Sequence, residues 1–88
     1  MASDKDLHCV IVTPEKAVLE AAAEFVVLPM EDGELGVLFN HSPLIGKLGK
    51  GEVRLTQNGV VKKLHVDGGF AQVRANVVNI LTPRVRME

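Results

Sequence analysis

The sequence predicts an all-β domain of short antiparallel strands, either a sandwich or a barrel. Three observations carry this. Turn-forming clusters recur about every 8–12 residues from Pro29 onward, the rhythm of such folds. Apolar and polar residues alternate over Gly51–Gln57 and again over Val60–Val66, on either side of Asn58-Gly59. That dipeptide is the strongest short hairpin signal, because a type I′ turn needs φ > 0 at both central residues. And the chain opens on a β-branched apolar run, Leu7–Thr13, stopped by Pro14.

Taken in order, Leu7–Thr13 is the first strand. Ala17–Leu28 is ambiguous. Its alanines, with Glu20 and Glu24 four apart and Pro29 behind them, suit a helix capped at Thr13-Pro14. Phe25-Val26-Val27-Leu28, however, is strand material. Glu31-Asp32-Gly33 is a turn, Gly36–Leu38 a short apolar run, and Asn40-His41-Ser42-Pro43 another turn. Leu44-Ile45 is apolar again. Gly46, Gly49 and Gly51 then read as a loop whose backbone bends tightly. In the hairpin that follows, Val53, Leu55, Leu64 and Val66 face inward, while Arg54, Thr56, Lys63 and His65 face outward. Asp67-Gly68-Gly69 is a further turn. Phe70–Arg74 and Val77–Leu81 are two more strands joined around Ala75-Asn76. Pro83 ends the sheet, leaving 84–88 as a short charged tail.

The totals exclude several classes. At 88 residues the chain is one domain, 1–88, with a thin core. A 47% apolar content argues against disorder. Net charge is −1 and the aromatics are three Phe, so neither the positive field nor the stacking surface of a nucleic-acid binder is present. Cys9 is alone, which fits a strand in a reducing compartment and no internal disulfide. No apolar run reaches the roughly 20 residues of a membrane helix, and the acidic opening MASDKDLH does not read as a signal peptide.

Tests for chemistry come out blank. His8, Cys9, His41 and His65 lack zinc spacing, and His8 and Cys9 point to opposite faces of a strand. Ser42 beside His41 is not a triad, since sequence neighbours rarely aim at each other. Gly46–Gly51 lacks the order of a phosphate-binding loop. No metal, cofactor, catalytic residue or small-molecule substrate is expected. The chain reads as a binding module or a subunit.

The order of motifs is more specific. Gly33-Glu34-Leu35-Gly36-Val37-Leu38, then His41-x-Pro43-Leu44, then Gly51-Glu52-Val53-Arg54, then Gly68-Gly69-Phe70 together resemble the ε subunit of F-type ATP synthases. The resemblance covers nearly all of residues 7–82. It implies an antiparallel β-sandwich of about ten short strands, with Ala17–Leu28 forming two of them and its alanines lying where sheets or a partner approach closely. It implies a non-catalytic central-stalk subunit that packs on the γ subunit and stands on the polar loops of the c-ring. It would couple ion translocation to ATP synthesis at the cytoplasmic face of the bacterial plasma membrane, bound peripherally. On this reading Glu34 and His41 belong to a ring-facing loop, so His41 is an interface residue and not a base. The acids Glu31, Asp32 and Glu34 are expected to meet basic residues of the ring, and Phe39, Asn40 and Ser42 to share this interface with the ring or γ.

Two departures stand out. Phe39-Asn40 replaces the Pro-Gly that commonly precedes the histidine. Asn tolerates a left-handed backbone, so the turn can persist, with Phe39 either an exposed anchor or a core plug. The family also continues into two C-terminal helices, which this sequence, ending at Glu88, does not include. Their roles in restraining ATP hydrolysis and, in some members, binding ATP are not carried over. Two rivals remain: an unrelated small binding sandwich, and an enzyme using His41, Ser42 and Asp67.

Overall fold

Alternating burial and cross-strand pairing give the described residues an all-β fold. The computed structural model describes residues 5–87, in which eight strands and no helix occur. They are β1 (Leu7–Val12), β2 (Ala17–Ala23), β3 (Phe25–Met30), β4 (Gly33–Leu38), β5 (Leu44–Gln57), β6 (Val60–Arg74), β7 (Val77–Leu81) and β8 (Val85–Met87). Met1–Asp4, the first half of the stretch read for a signal peptide, and Glu88 lie outside the described residues.

The helical alternative for Ala17–Leu28 is overturned. Thr13 and Lys16 exchange backbone hydrogen bonds at 2.9 and 3.2 Å, so Pro14 turns a hairpin instead of starting a helix. β2 then pairs antiparallel with β1, Leu7 opposite Ala23 and Cys9 opposite Ala21. The alanines owe their place to this pairing, which overrides local propensity. Ala23 is fully buried between larger neighbours.

The strands join in the order β2-β1-β7-β6-β5-β3-β4, with β8 on β6. All pairs are antiparallel except β1 with β7, which run parallel. Eight strands replace the expected ten or so because two glycine-rich stretches do not end strands. Leu44-Ile45 and Gly51–Gln57 are one strand of 14 residues, and Val60–Val66 and Phe70–Arg74 one of 15. Leu48 faces Gly69 and Lys50 faces Asp67 in an unbroken register.

Length forces these strands to bend. At about 3.3 Å per residue each would be more than about 40 Å long if straight, yet the longest extent of the molecule is 31 Å. The bend falls at Gly46–Gly51 and Asp67–Gly69. There β6 changes its outer neighbour: β8 pairs with Leu64–Val66, and β7 with Phe70–Arg74. One sheet thus folds over on itself into two layers. Leu7, Ile11, Leu28, Val37, Leu64 and Ile80, contributed by both layers, are fully buried between them.

Two details close the fold. Pro29 sits inside β3, where the ladder to β5 is interrupted between Val27 and Met30. A residue without an N–H is tolerated there, and Gly51 gives it room, since a Cβ on Gly51 would lie 2.8 Å from the Pro29 Cβ. The expected tail is instead β8, with Val85 packed against the core. Thr82, buried at the junction, donates its N–H to Val12 O at 3.1 Å and its hydroxyl to Arg84 O at 3.2 Å.

Burial sets the chemistry of Cys9. Its thiol is fully enclosed, and desolvation pushes its pKa up to about 12. In the unfolded chain the thiol ionises near its ordinary value of 9.0. Between those values only the unfolded state loses the proton, so stability falls as pH rises from about 9 to about 12. Urea melts across this range should show a loss that Cys9→Ala shares only in part. An equal loss in both proteins would assign it to other groups. At pH 8 the native thiol should resist an aromatic disulfide reagent until urea unfolds the chain.

Candidate functional site

The acidic hairpin arises because Met30 pairs with Gly33, which leaves Glu31 and Asp32 as the two turn residues. Gly33 follows at φ +132°, and Glu31 N–H is anchored to Lys47 O at 3.0 Å. Glu31, Asp32 and Glu34 are all exposed. Glu34 has an internal partner that sequence reading missed. Arg54 of β5 reaches across β3, placing Nη2 at 3.2 Å from Glu34 Oε1 and Nη1 at 3.6 Å from Glu52 Oε1. The sequence signalled only that Arg54 lies on the polar side of an alternating strand; its nearness to Glu34 comes from the pairing, in which Val27 lies between Gly36 and Arg54. Solvent-exposed pairs of this kind contribute about 0–1 kcal/mol. Among the described residues, Glu31 and Asp32 meet no side-chain partner.

These acids border a cleft of about 640 Å³. Leu35, Leu44, Ile45 and Lys47 complete much of its lining, so acid and apolar surface lie side by side there. Leu35 and Leu44 also pack on the core, which fixes the cleft to the scaffold.

The second group, Phe39, Asn40, His41 and Ser42, lies beyond the other end of β4. That six-residue strand is about 17 Å long, and none of the four lines the acidic cleft. Asn40 holds φ +64°, the left-handed geometry that the substituted turn requires. Phe39 is half-buried, between the two alternatives expected for it. His41 N–H donates to Leu38 O at 3.1 Å. His41 Nδ1 lies 2.7 Å from the Ser42 carbonyl oxygen. A carbonyl only accepts, so Nδ1 carries the proton and Nε2 is the nitrogen left for another group. The bond goes to the Ser42 backbone and not to its hydroxyl. Asp67 pairs with Lys50 at 3.7 Å instead of joining His41, so no triad is assembled.

A family profile described as "ATP synthase, Delta/Epsilon chain, beta-sandwich domain" matches residues 6–87. The chain belongs to this family. Among relatives of the family, the ATP synthase epsilon chain of Rhodopirellula baltica is 53% identical over 78 residues, covering 89% of this chain and 61% of the relative. The epsilon chain of Desulfitobacterium hafniense strain DCB-2 is 51% identical over 71 residues, covering 81% of this chain and 54% of the relative. The chain therefore spans little more than half the length of these epsilon chains.

Solved structures agree on the fold. A chain in the cryo-EM structure of the Euglena gracilis mitochondrial ATP synthase, OSCP/F1/c-ring, superposes with a TM-score of 0.89 at 21% identity, covering 99% of this chain and 56% of that one. A chain in the Tetrahymena thermophila mitochondrial ATP synthase central stalk and c-ring gives 0.76 at 15%, covering 98% and 69%. Among the described residues of this family member, no helix is long and apolar enough to cross a membrane.

Proposed function

We propose that this sandwich is a non-catalytic rotor subunit of an ATP synthase, seating γ on the polar loops of the c-ring so that ring rotation reaches the catalytic head. The observation that carries this reading is the unpaired acidic turn. Glu31 and Asp32 sit at the tip of a hairpin anchored to the core, with no side-chain partner among the described residues, beside the apolar wall of Leu35 and Leu44. Such a surface suits a basic, partly apolar loop on a neighbouring protein. Charges at an interface rim set orientation and specificity more than affinity. The γ contact rests on family membership, and a clamp that must not slip calls for a total buried area of roughly 1,600 Å². Attachment to the membrane would run through the ring, making the domain peripheral.

Two experiments test this. Co-elution with the cognate γ subunit should survive about 0.5 M salt, where exposed charge pairs are largely screened. Absence of a complex at either salt would overturn the γ contact. For the acidic turn, Glu31→Gln with Asp32→Asn should leave the melting temperature nearly unchanged and weaken seating on the ring about 3- to 10-fold, as expected for two exposed pairs. Undiminished ion pumping by the assembled variant would show that charge at this turn does not hold the ring.

A further inference from the structure

We propose that Asn76, on the turn between β6 and β7, is the positioning residue for the Phe39–Pro43 loop. This rests on reading that loop as an interface loop, and the geometry stands apart from that reading. Asn76 Oδ1 accepts the Asn40 backbone N–H at 2.6 Å, and Asn76 Nδ2 donates to Asn40 Oδ1 at 3.3 Å. An N–H must meet an oxygen, so the first bond fixes the orientation of the amide and the second follows from it. Asn76 O also accepts the N–H of His8, at the start of β1, at 2.9 Å. A single residue therefore joins the loop, the turn and the first strand.

The turn itself does not need an amide. Arg74 pairs with Val77, so Ala75 and Asn76 are its two central residues, at φ +50° and +64°. Glycine would satisfy that geometry at both positions. Ala75 instead carries its Cβ into the left-handed region, which an L-residue with a side chain adopts only under strain. Strain of this kind persists where surrounding contacts over-determine the backbone. The bonds of Asn76 to two other elements supply that constraint. Asn40, next to His41, is also left-handed. Two left-handed asparagines facing each other thus set the path of the chain into His41. With Nδ1 committed to Ser42 O, Nε2 becomes the nitrogen that the loop presents.

Amide hydrogen exchange on the whole chain tests this, using three variants. Asn76→Gly keeps the turn geometry and the carbonyl to His8 but removes both side-chain bonds. Asn76→Asp keeps an oxygen for the Asn40 N–H. Ala75→Gly relaxes the turn alone. The expected result is that Asn76→Gly speeds exchange at the Asn40 amide by about 3- to 10-fold, the worth of one hydrogen bond. The His41 ring 15N signals should shift with it. Asn76→Asp and Ala75→Gly should leave Asn40 slow, and His8 should stay protected throughout. The proposal is overturned if Asn40 exchange is unchanged in Asn76→Gly, if Asn76→Asp is as fast, or if His8 loosens as well. Binding to the detergent-solubilised cognate c-ring separates the two readings. A loosened loop with undiminished ring binding would keep the role of Asn76 and remove the interface reading of the loop.

Discussion

Gly69→Ala is expected to lower the thermal midpoint by at least about 15 °C, or to prevent folding. Gly69 lies at φ +109°, outside the range that a residue with a Cβ readily adopts. Its missing side chain points at the backbone of the β7 end. A Cβ there would overlap the Leu81 carbonyl oxygen and come within 2.8 Å of Thr82 Cα. Backbone cannot rotate out of the way as a side chain can, and Thr82 is itself tied to Val12 and Arg84. Strain and overlap together belong to the class of substitutions that cost about 4 kcal/mol or more. In a domain of this size each kcal/mol moves the midpoint by about 4–8 °C. Gly59→Ala is the control. Gly59 is also left-handed, at φ +78°, but has nothing within 4 Å of a built Cβ, so only the conformational cost of about 1–2 kcal/mol applies. Melts followed by circular dichroism decide it. Equal shifts for the two variants would mean that the corner at Gly69 adjusts freely.

Leu64→Ala is expected to cost about 3 kcal/mol, within the range of about 2–5 kcal/mol for a buried leucine. That is a fall of about 12–24 °C. Leu64 is fully buried in β6, paired with Val53 on one side and Met87 on the other. A chain this short buries only about 60–65% of its unfolded surface, so few residues stand behind each one lost. Val60→Ala, on a strand position 68% exposed, should move stability by no more than about 0.5 kcal/mol. Urea titrations of the two variants compare them directly. If Leu64→Ala cost no more than Val60→Ala, the core would not pass through this point of β6.

Local rules read well where local physics decides. Asn58 and Asn40 are left-handed because their turns require it and asparagine tolerates it. The inward set Val53, Leu55, Leu64 and Val66 is buried because the strand period is two. Local reading stays open where a distant partner decides. Ala17–Ala23 is a strand because β1 lies beside it, so propensity leaves Ala17–Leu28 undecided while the resemblance, which implies two strands there, agrees with β2 and β3. Gly68 and Gly69 carry the left-handed angles of a turn, yet the ladder runs on through them because β5 bends in parallel. β8 escaped notice because three residues after a proline carry no periodic signal. For the candidate site, residue type was legible and grouping was not. The acids and the histidine loop were read as one patch. β4 sets them at its two ends, where Glu31 N–H is tied to Lys47 O and Asn40 N–H to Asn76.

The two long strands also bear on stiffness. Where two sheets are joined only by loops, side-chain packing carries most of a sideways load. Here β5 and β6 run through both layers, paired to each other across the bend. A shearing force between the layers would have to stretch two covalent backbones and the ladder between them. The domain therefore resists displacement of one face relative to the other through its backbone as well as through its core.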